Sequence, residues 1–103
     1  MKNIAVNRKA RYNYHILESV EAGLVLTGTE IKSIRAGRVS IAEAFARADD
    51  GELWLYRAHI AEYKGASVNN HEPTRPRKLL LHHDEMRNLI SESEEKGLAL
   101  IPL

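Results

Sequence analysis

A β-hairpin signal in the middle of the chain constrains the fold more than any other feature. Two alternating runs flank the dipeptide Asp50-Gly51, which favours a tight two-residue turn. Alanines recur at every second position over Ile41 to Ala48, and leucines alternate with aromatic residues over 53–56. This pattern predicts an antiparallel hairpin over residues 40–61. The alanines also allow a helix over 41–48, but the clear turn and return strand favour a strand.

A short helix is predicted before the hairpin. Thr27 and Glu30 have the spacing of a capping box, and Gly37 stands where a glycine commonly follows a helix end. Ile31 and Ile34 lie three residues apart, so they share one helix face, and we expect both to be buried.

A second helix is predicted from about Asp84 to Lys96, followed by Gly97 as its terminator. Met86, Leu89 and Ile90 supply its apolar stripe. An apolar run over 16–26, broken by a glycine, indicates a long bent strand or a strand pair, and residues 98–103 indicate a final strand.

These elements predict one small domain over residues 1–103. It is mostly β with accessory helices, and an OB-type antiparallel barrel is the natural candidate. The barrel could be incomplete at its C-terminal strands. The absence of cysteine excludes disulfides and thiolate metal sites. No stretch is long and apolar enough for a signal peptide or membrane span, so we expect a cytoplasmic protein without membrane contact.

The formal net charge is only +1, so any nucleic-acid interface must depend on where the basic residues lie. Three stretches concentrate them, over residues 8–14, 32–38 and 69–78. The first interleaves basic residues with tyrosines, which suits looped or single-stranded RNA, although the tyrosines could instead pack in a core. The third is a long, proline-containing loop, which is either a backbone-gripping element or simply solvent-exposed.

Two enzymatic or metal interpretations are weaker. Residues 82–85, His-His-Asp-Glu, offer four adjacent ligands, but neighbouring helix residues point in different directions and the i, i+4 spacing of histidines is missing. Histidines with Lys78 could in principle serve a ribonuclease as acid and base, yet no spacing defines such a pair. We therefore predict no metal, no cofactor and no catalytic residue.

Three longer motifs make the chain resemble the SsrA-binding protein (SmpB) family. They are residues 7–14 (NRKARYNY), residues 21–37 (EAGLVLTGTEIKSIRAG) and residues 73–82 (PTRPRKLLLH). Their order and spacing also fit, and the resemblance extends over essentially the whole chain.

The resemblance implies an RNA-binding adaptor, not an enzyme, that binds the tRNA-like domain of transfer-messenger RNA at its D-loop and elbow. It implies delivery of that RNA to stalled ribosomes in trans-translation, together with elongation factor Tu and alanyl-tRNA synthetase acting through the RNA. A general single-stranded nucleic-acid-binding OB module is the alternative.

The resemblance and the basic stretches together nominate thirteen RNA-binding residues. Glu21 is unusual because it is acidic, but a carboxylate can accept hydrogen bonds from base amino groups. The alternative for Glu21 is a structural hydrogen bond near the Gly23 bend. The full set is Arg8, Lys9, Arg11, Tyr12, Tyr14, Glu21, Lys32, Arg35, Arg75, Arg77, Lys78, Leu80 and His82.

We expect the helix residues Glu92, Glu94 and Glu95 to lie away from a single basic face formed by Arg8, Lys9, Arg11, Arg35, Arg75, Arg77 and Lys78. The family extends several tens of residues beyond Leu103, into further strand and a basic tail. We therefore expect this chain to lack the tail and to bind the RNA without supporting peptide tagging.

Overall fold

The elements of the fold are described from a computed structural model for residues 20–65, 70–97 and 99–102. Within these ranges, two helices, α1 (Gly28–Arg35) and α2 (His83–Lys96), accompany six short strands. The strands are β1 (Gly23–Leu24), β2 (Val39–Ser40), β3 (Phe45–Asp49), β4 (Glu52–Tyr56), β5 (His59–Ile60) and β6 (Arg77–Leu80). The predicted class, mostly antiparallel β with accessory helices, is confirmed.

The strands form two antiparallel sheets. The larger has the order β1-β6-β4-β3, and the smaller pairs β2 with β5. The chain passes from the larger sheet to the smaller between β4 and β5, where Arg57 has a positive φ of 62°. Such a bend is how one continuous run of chain can serve two sheets that face different directions.

The predicted turn of the hairpin is confirmed, but its first strand is shorter than expected. Asp50 and Gly51 both have positive φ, 53° and 74°, as a two-residue turn with right-handed strand twist requires. Strand β3 begins only at Phe45, because a turn closed by the Ala44 N–H and the Ile41 carbonyl (3.1 Å) precedes it. The preceding strand β2 belongs to the other sheet, so the chain must change direction between them.

The apolar core lies on the inner face of the larger sheet. Leu55, Ala44 and Ala58 are buried together, and Leu24 and Leu79 pack against them from β1 and β6. The alternating alanines are divided between the core and the surface. Ala44 is buried, whereas Ala42 lies in the exposed turn.

Helix α1 confirms the predicted capping box but buries a different face. Glu30 and Ser33 are buried, while Ile31 is 39% exposed and Ile34 is half-buried. The expectation that Ile31 is buried was wrong. The helix is rotated so that the Glu30 carboxylate, which also caps the Thr27 N–H at 2.8 Å, points into the protein.

Helix α2 agrees with the prediction to within one residue at its start. Met86 is buried at 5% exposure, whereas Leu89 and Ile90 are half-buried, so the apolar stripe is only partly covered. Gly97 ends the helix with a φ of 63°. Beyond it, the Ala46 N–H donates to the Leu100 carbonyl at 2.8 Å, and this bridge places the C-terminal segment beside β3. Neither α1 nor α2 is long and apolar enough to span a membrane.

Candidate nucleic-acid interface

Three of the predicted RNA-binding residues lie on or next to the paired strands β1 and β6 of the larger sheet. Leu80 at the end of β6 is 50% exposed and pairs with Gly23 of β1. A Cβ atom at Gly23 would lie 3.3 Å from the Leu80 Cβ, so the glycine lets the leucine lie close over β1. Glu21 and His82 are exposed on either side of this pair in sequence. We call Glu21, Leu80 and His82 the edge surface.

Two further apolar side chains accompany the edge surface. Val20 and Val25, which flank β1, are 40% and 45% exposed. An apolar group that remains this open beside a carboxylate and an imidazole has the mixed character of a surface that binds nucleotides, whose bases are flat and whose edges are polar.

Helix α2 approaches the residue that precedes Glu21. Val20 lines a cleft together with Glu85, Leu89 and Glu92 of α2. This cleft contains no basic candidate, so the separation of Glu92, Glu94 and Glu95 from the basic residues stays a prediction. The carboxylates of α2 form one border of the edge surface.

The loop before β6 is organised around a buried carboxylate. Glu30 is completely buried and accepts hydrogen bonds from Arg75 Nε (3.1 Å), Arg75 Nη2 and Arg77 Nε. Burial alone would raise the pKa of Glu30, but hydrogen bonds from Arg75, the Thr27 N–H and Arg77 outweigh it and lower the pKa to about 2. The carboxylate is therefore ionised throughout the neutral range.

Arg77 is a structural residue and not part of an exposed basic face. Its side chain is completely buried, and besides Glu30 its guanidinium donates to the carbonyls of Ala58 (2.8 Å) and Pro73 (3.0 Å). The expectation that Arg77 shares an exposed face was therefore wrong. A buried arginine is tolerated here because almost every donor has a fixed oxygen partner.

Arg75 is intermediate between the buried environment of Arg77 and an exposed position. Its side chain is 29% exposed and, besides Glu30, it donates to the carbonyls of Val25 and Pro76, each at 3.3 Å. Because these bonds occupy its donors, the guanidinium ties the loop to β1 and α1. The sequence signal, a run of basic residues, does not distinguish this role from phosphate binding.

His71 and Asn70 secure the other end of the loop, and sequence reasoning missed both. His71 is buried, with Nε2 2.8 Å from the Ile60 carbonyl and Nδ1 2.9 Å from the Thr29 hydroxyl. Since a carbonyl can only accept, Nε2 carries the proton and donates to Ile60. Asn70 exchanges two hydrogen bonds with the backbone of Tyr63, at 3.0 and 3.1 Å. The pattern of long-range partners could not be read from local spacing.

The remaining basic candidates are accessible. Lys32 and Arg35 are exposed on α1, and the Lys32 ammonium lies 5.4 Å from the centre of the Tyr63 ring. Lys78 projects from β6 with its side chain 39% exposed, 3.8 Å from a Glu52 carboxylate oxygen. All three can reach a phosphate without breaking a buried contact.

The other five candidates, all in the basic and tyrosine-rich stretch, lie outside the described residues. They are Arg8, Lys9, Arg11, Tyr12 and Tyr14. Within the described ranges, residues 82–85 do not assemble with other side chains into a group that could hold a metal ion.

Comparison with known proteins identifies consistent relatives. Residues 4–103 match the family described as SmpB protein. SsrA-binding proteins of Carboxydothermus hydrogenoformans and Shouchella clausii are 57% and 55% identical over 99% of this chain, which covers 68% and 65% of their lengths. The SsrA-binding protein of Acidothermus cellulolyticus is 57% identical, with 64% of its length covered. The chain thus spans about two thirds of the length of these relatives.

A solved structure gives the same result. It is described as "tmRNA-SmpB: a journey to the center of the bacterial ribosome", and it matches 94% of this chain with a TM-score of 0.75 and 54% identity. This chain covers 68% of the matched chain.

Proposed function

The chain belongs to the SmpB protein family, and from this premise we propose that it is an RNA-binding adaptor for transfer-messenger RNA. It binds the tRNA-like domain of that RNA, at the D-loop and elbow, and brings it to stalled ribosomes. Elongation factor Tu and alanyl-tRNA synthetase take part through the RNA, and the setting is the cytoplasm. The adaptor binds and positions its RNA and catalyses no reaction.

The observation that carries this proposal is the edge surface, on a chain of this family. Leu80 is half exposed over Gly23, Glu21 stands two residues before Gly23, His82 stands two residues after Leu80, and both are exposed. Leu80 supplies an apolar contact for a base or ribose, and Glu21 accepts from a base amino group. These contacts select bases and loop shape, which phosphate contacts alone cannot do.

Accessible cations supply the affinity. Lys32, Arg35 and Lys78 are accessible and neutralise phosphates. Arg75 contributes through its 29% exposed side chain. Arg77 holds Arg75 in position, because both bind the Glu30 carboxylate. The five candidates in residues 8–14 add two stacking tyrosines and three cations to the proposed interface. We propose that residues 1–103 act as one RNA-binding domain.

A competition experiment tests the proposal. A labelled tRNA-like RNA with an intact D-loop is bound to the chain and challenged with unlabelled copies, a poly-pyrimidine strand or a plain duplex. We expect only the unlabelled tRNA-like RNA to compete efficiently. Equal competition by all three would instead support the general single-stranded binder, and cleavage of the label would support a ribonuclease.

The contribution of single cations can be separated from selectivity in the same assay. Arg35→Gln should weaken binding to every RNA and lower the slope of log affinity against log salt by somewhat under one unit. Arg87→Gln on α2, outside the proposed interface, provides the matched control with the same loss of charge. An unchanged salt slope in Arg35→Gln would remove that residue from the interface.

A further inference from the structure

The opposite edge of the larger sheet carries an aromatic stack continued by a guanidinium group. Phe45 of β3 and Tyr56 of β4 face each other across the strands, with ring centres 5.6 Å apart and planes inclined by 19°. The exposed Arg47 lies over the Tyr56 ring, its guanidinium carbon 4.5 Å from the ring centre. Both rings are half-buried, so part of this planar assembly remains accessible.

The residue after the stack is held in an unfavourable backbone conformation. Arg57 has a φ of 62°, in the left-handed region that costs a residue with a Cβ atom about 1 kcal/mol or more, whereas glycine adopts it freely. Its bend carries the chain from one sheet to the other. That bend requires a positive φ but not a charged side chain, and glycine or asparagine would meet the requirement at less cost.

Among the residues that the structure describes, no partner of the Arg57 side chain offsets this cost. It is exposed and, within residues 20–65, 70–97 and 99–102, its guanidinium forms neither a hydrogen bond nor an ion pair. Strain of this kind that persists without a local partner points to function. The position matters, because Arg57 directly follows Tyr56 and so extends the basic and aromatic character of the stack.

We propose that Phe45, Arg47, Tyr56 and Arg57 form a second RNA-contacting surface, which binds unpaired nucleotides. A base stacks on the exposed plane of the Arg47 guanidinium or on the accessible part of the rings, and Arg57 holds the adjoining phosphate. Stacking on such planes tolerates any base, so this surface supplies affinity for single strands and not sequence selectivity.

The second surface is distinct from the edge surface. In the strand order β1-β6-β4-β3, Leu80 lies on β6 beside one edge and Phe45 lies on β3 at the other. Two strand spacings, about 10 Å, separate β6 from β3. Trp54 and Lys78 form the cross-strand pair between them, so a single strand of RNA can cross the sheet and reach both surfaces.

Charge decides in favour of a nucleic acid and sets the end of the sheet at which it binds. Arg47 and Arg57 lie toward the Tyr56 end, whereas the acidic residues Asp49, Asp50 and Glu52 cluster at the hairpin tip. The Tyr56 hydroxyl donates to Asp49 at 3.2 Å, which orients the ring. A phosphate is therefore favoured beside Arg47 and Arg57 and repelled at the tip, where Asp49 also binds the Tyr56 hydroxyl.

The test uses the chain of residues 1–103 and short single-stranded RNAs, hexauridylate and hexaadenylate, with fluorescence anisotropy as the readout. Arg57→Gly removes the guanidinium and relieves the backbone strain. We expect it to raise Tm by roughly 2–6 °C and to weaken hexanucleotide binding by about three- to tenfold. Arg47→Gln, at an exposed strand position, should weaken binding by a similar factor. Arg87→Gln is the matched control and should leave binding unchanged.

The opposite signs of the two effects make Arg57→Gly informative. A more stable protein that binds less well cannot owe its weaker binding to unfolding. Unchanged hexanucleotide affinity in both Arg57→Gly and Arg47→Gln would overturn the proposal. Sedimentation showing a dimer of the unaltered chain that both substitutions dissociate, without any effect on RNA affinity, would also overturn it and assign the surface to self-association.

The outcome is independent of the function proposed above, because tRNA-like RNA is titrated against the same variants. If the chain binds tRNA-like RNA but neither substitution changes its affinity for the hexanucleotides, the second surface is refuted and the proposed function is not. Hexanucleotide binding that depends on Arg47 and Arg57, in a chain that does not bind tRNA-like RNA, supports the second surface and refutes the proposed function alone.

Discussion

The two ends of β6 reverse the usual relation between hydropathy and burial. Arg77, at its start, is completely buried, whereas Leu80, at its end, is half exposed. The arginine is buried because Glu30 and two backbone carbonyls meet its donors. The leucine stays open because Gly23 opposite it offers no side chain to cover it.

This contrast teaches that partners, and not side-chain class, decide which groups are buried. Transferring an unpaired charge out of water costs far more free energy than exposing a leucine. Arg77 can therefore be buried only beside Glu30, whereas Leu80 can remain exposed opposite Gly23. One end of the strand therefore maintains the fold, and the other is available for RNA. Substitutions at or near either end should therefore separate the two roles.

The largest expected effect is at the buried end. Glu30→Gln leaves the buried Arg77 guanidinium and the partly buried Arg75 guanidinium facing a neutral side chain, and we expect the free energy of unfolding to fall by about 3–5 kcal/mol. Urea denaturation monitored by circular dichroism measures it. Glu52→Gln is the matched control, because its partner Lys78 is 3.8 Å away and both are well exposed, so it should cost under about 1 kcal/mol. Equal losses in the two variants would contradict the contrast.

Lowering the pH should remove the stabilising contribution of the Glu30 carboxylate without a substitution. The folded-state pKa of Glu30 is lowered to about 2 from 4.5, so its contribution to stability is complete above the unfolded value. It is lost as the pH falls from about 5 toward 2. At about 1.4 kcal/mol per pKa unit the loss is about 3 kcal/mol. The difference in unfolding free energy between the unaltered chain and Glu30→Gln should narrow over this range. A difference that does not change with pH would show that Glu30 is not ionised in the folded state.

The exposed end should respond in binding and not in stability. Leu80→Ala removes an apolar contact for RNA, so we expect affinity for tRNA-like RNA to fall by about 1 kcal/mol, roughly fivefold. The free energy of unfolding should change by only about 0.5 kcal/mol. Leu79→Ala, one residue earlier and packed on the core, should show the reverse pattern, with a stability loss of about 2 kcal/mol. Similar profiles for the two variants would refute the division of β6.

The smallest expected effect on stability is at Ser33, near the buried end of β6. The hydroxyl of Ser33, on the same buried face of α1 as Glu30, has no hydrogen-bond partner among the described residues. Ser33→Ala should therefore be neutral or stabilise the protein by up to about 1 kcal/mol. Ser93→Ala, which removes a bond to the Ile90 carbonyl at 3.0 Å, should be less favourable. A clear loss of stability in Ser33→Ala would mean that its hydroxyl is satisfied in solution.

Local features of the fold were predictable from the sequence. The capping box of Thr27 and Glu30, the Asp50-Gly51 turn and the Gly97 terminator were all found where local spacing placed them. Each depends on residues within a few positions of one another, where backbone sterics and short-range hydrogen bonds dominate. The candidate edge residues followed instead from resemblance to a family, and their contacts with RNA stay a prediction.

The errors share a cause. Ile31 was expected to be buried from helical spacing, yet Glu30 faces the interior because two arginines 45 and 47 residues away reach it. The early start of the hairpin was wrong because β2 pairs in a different sheet. Local hydropathy cannot report a partner so distant in sequence.

The sequence by itself determined the helices, the hairpin turn and the mostly antiparallel class, since these depend on periodicity and on the conformational preferences of a few residues. Only the tertiary structure decided which basic residues are buried and which remain exposed. It assigned Arg77 to the interior, left Lys32 and Arg35 on the surface, and held Arg57 in a strained bend. The reason is energetic, because the cost of burying a charge is set by the oxygen atoms that the folded chain brings to it.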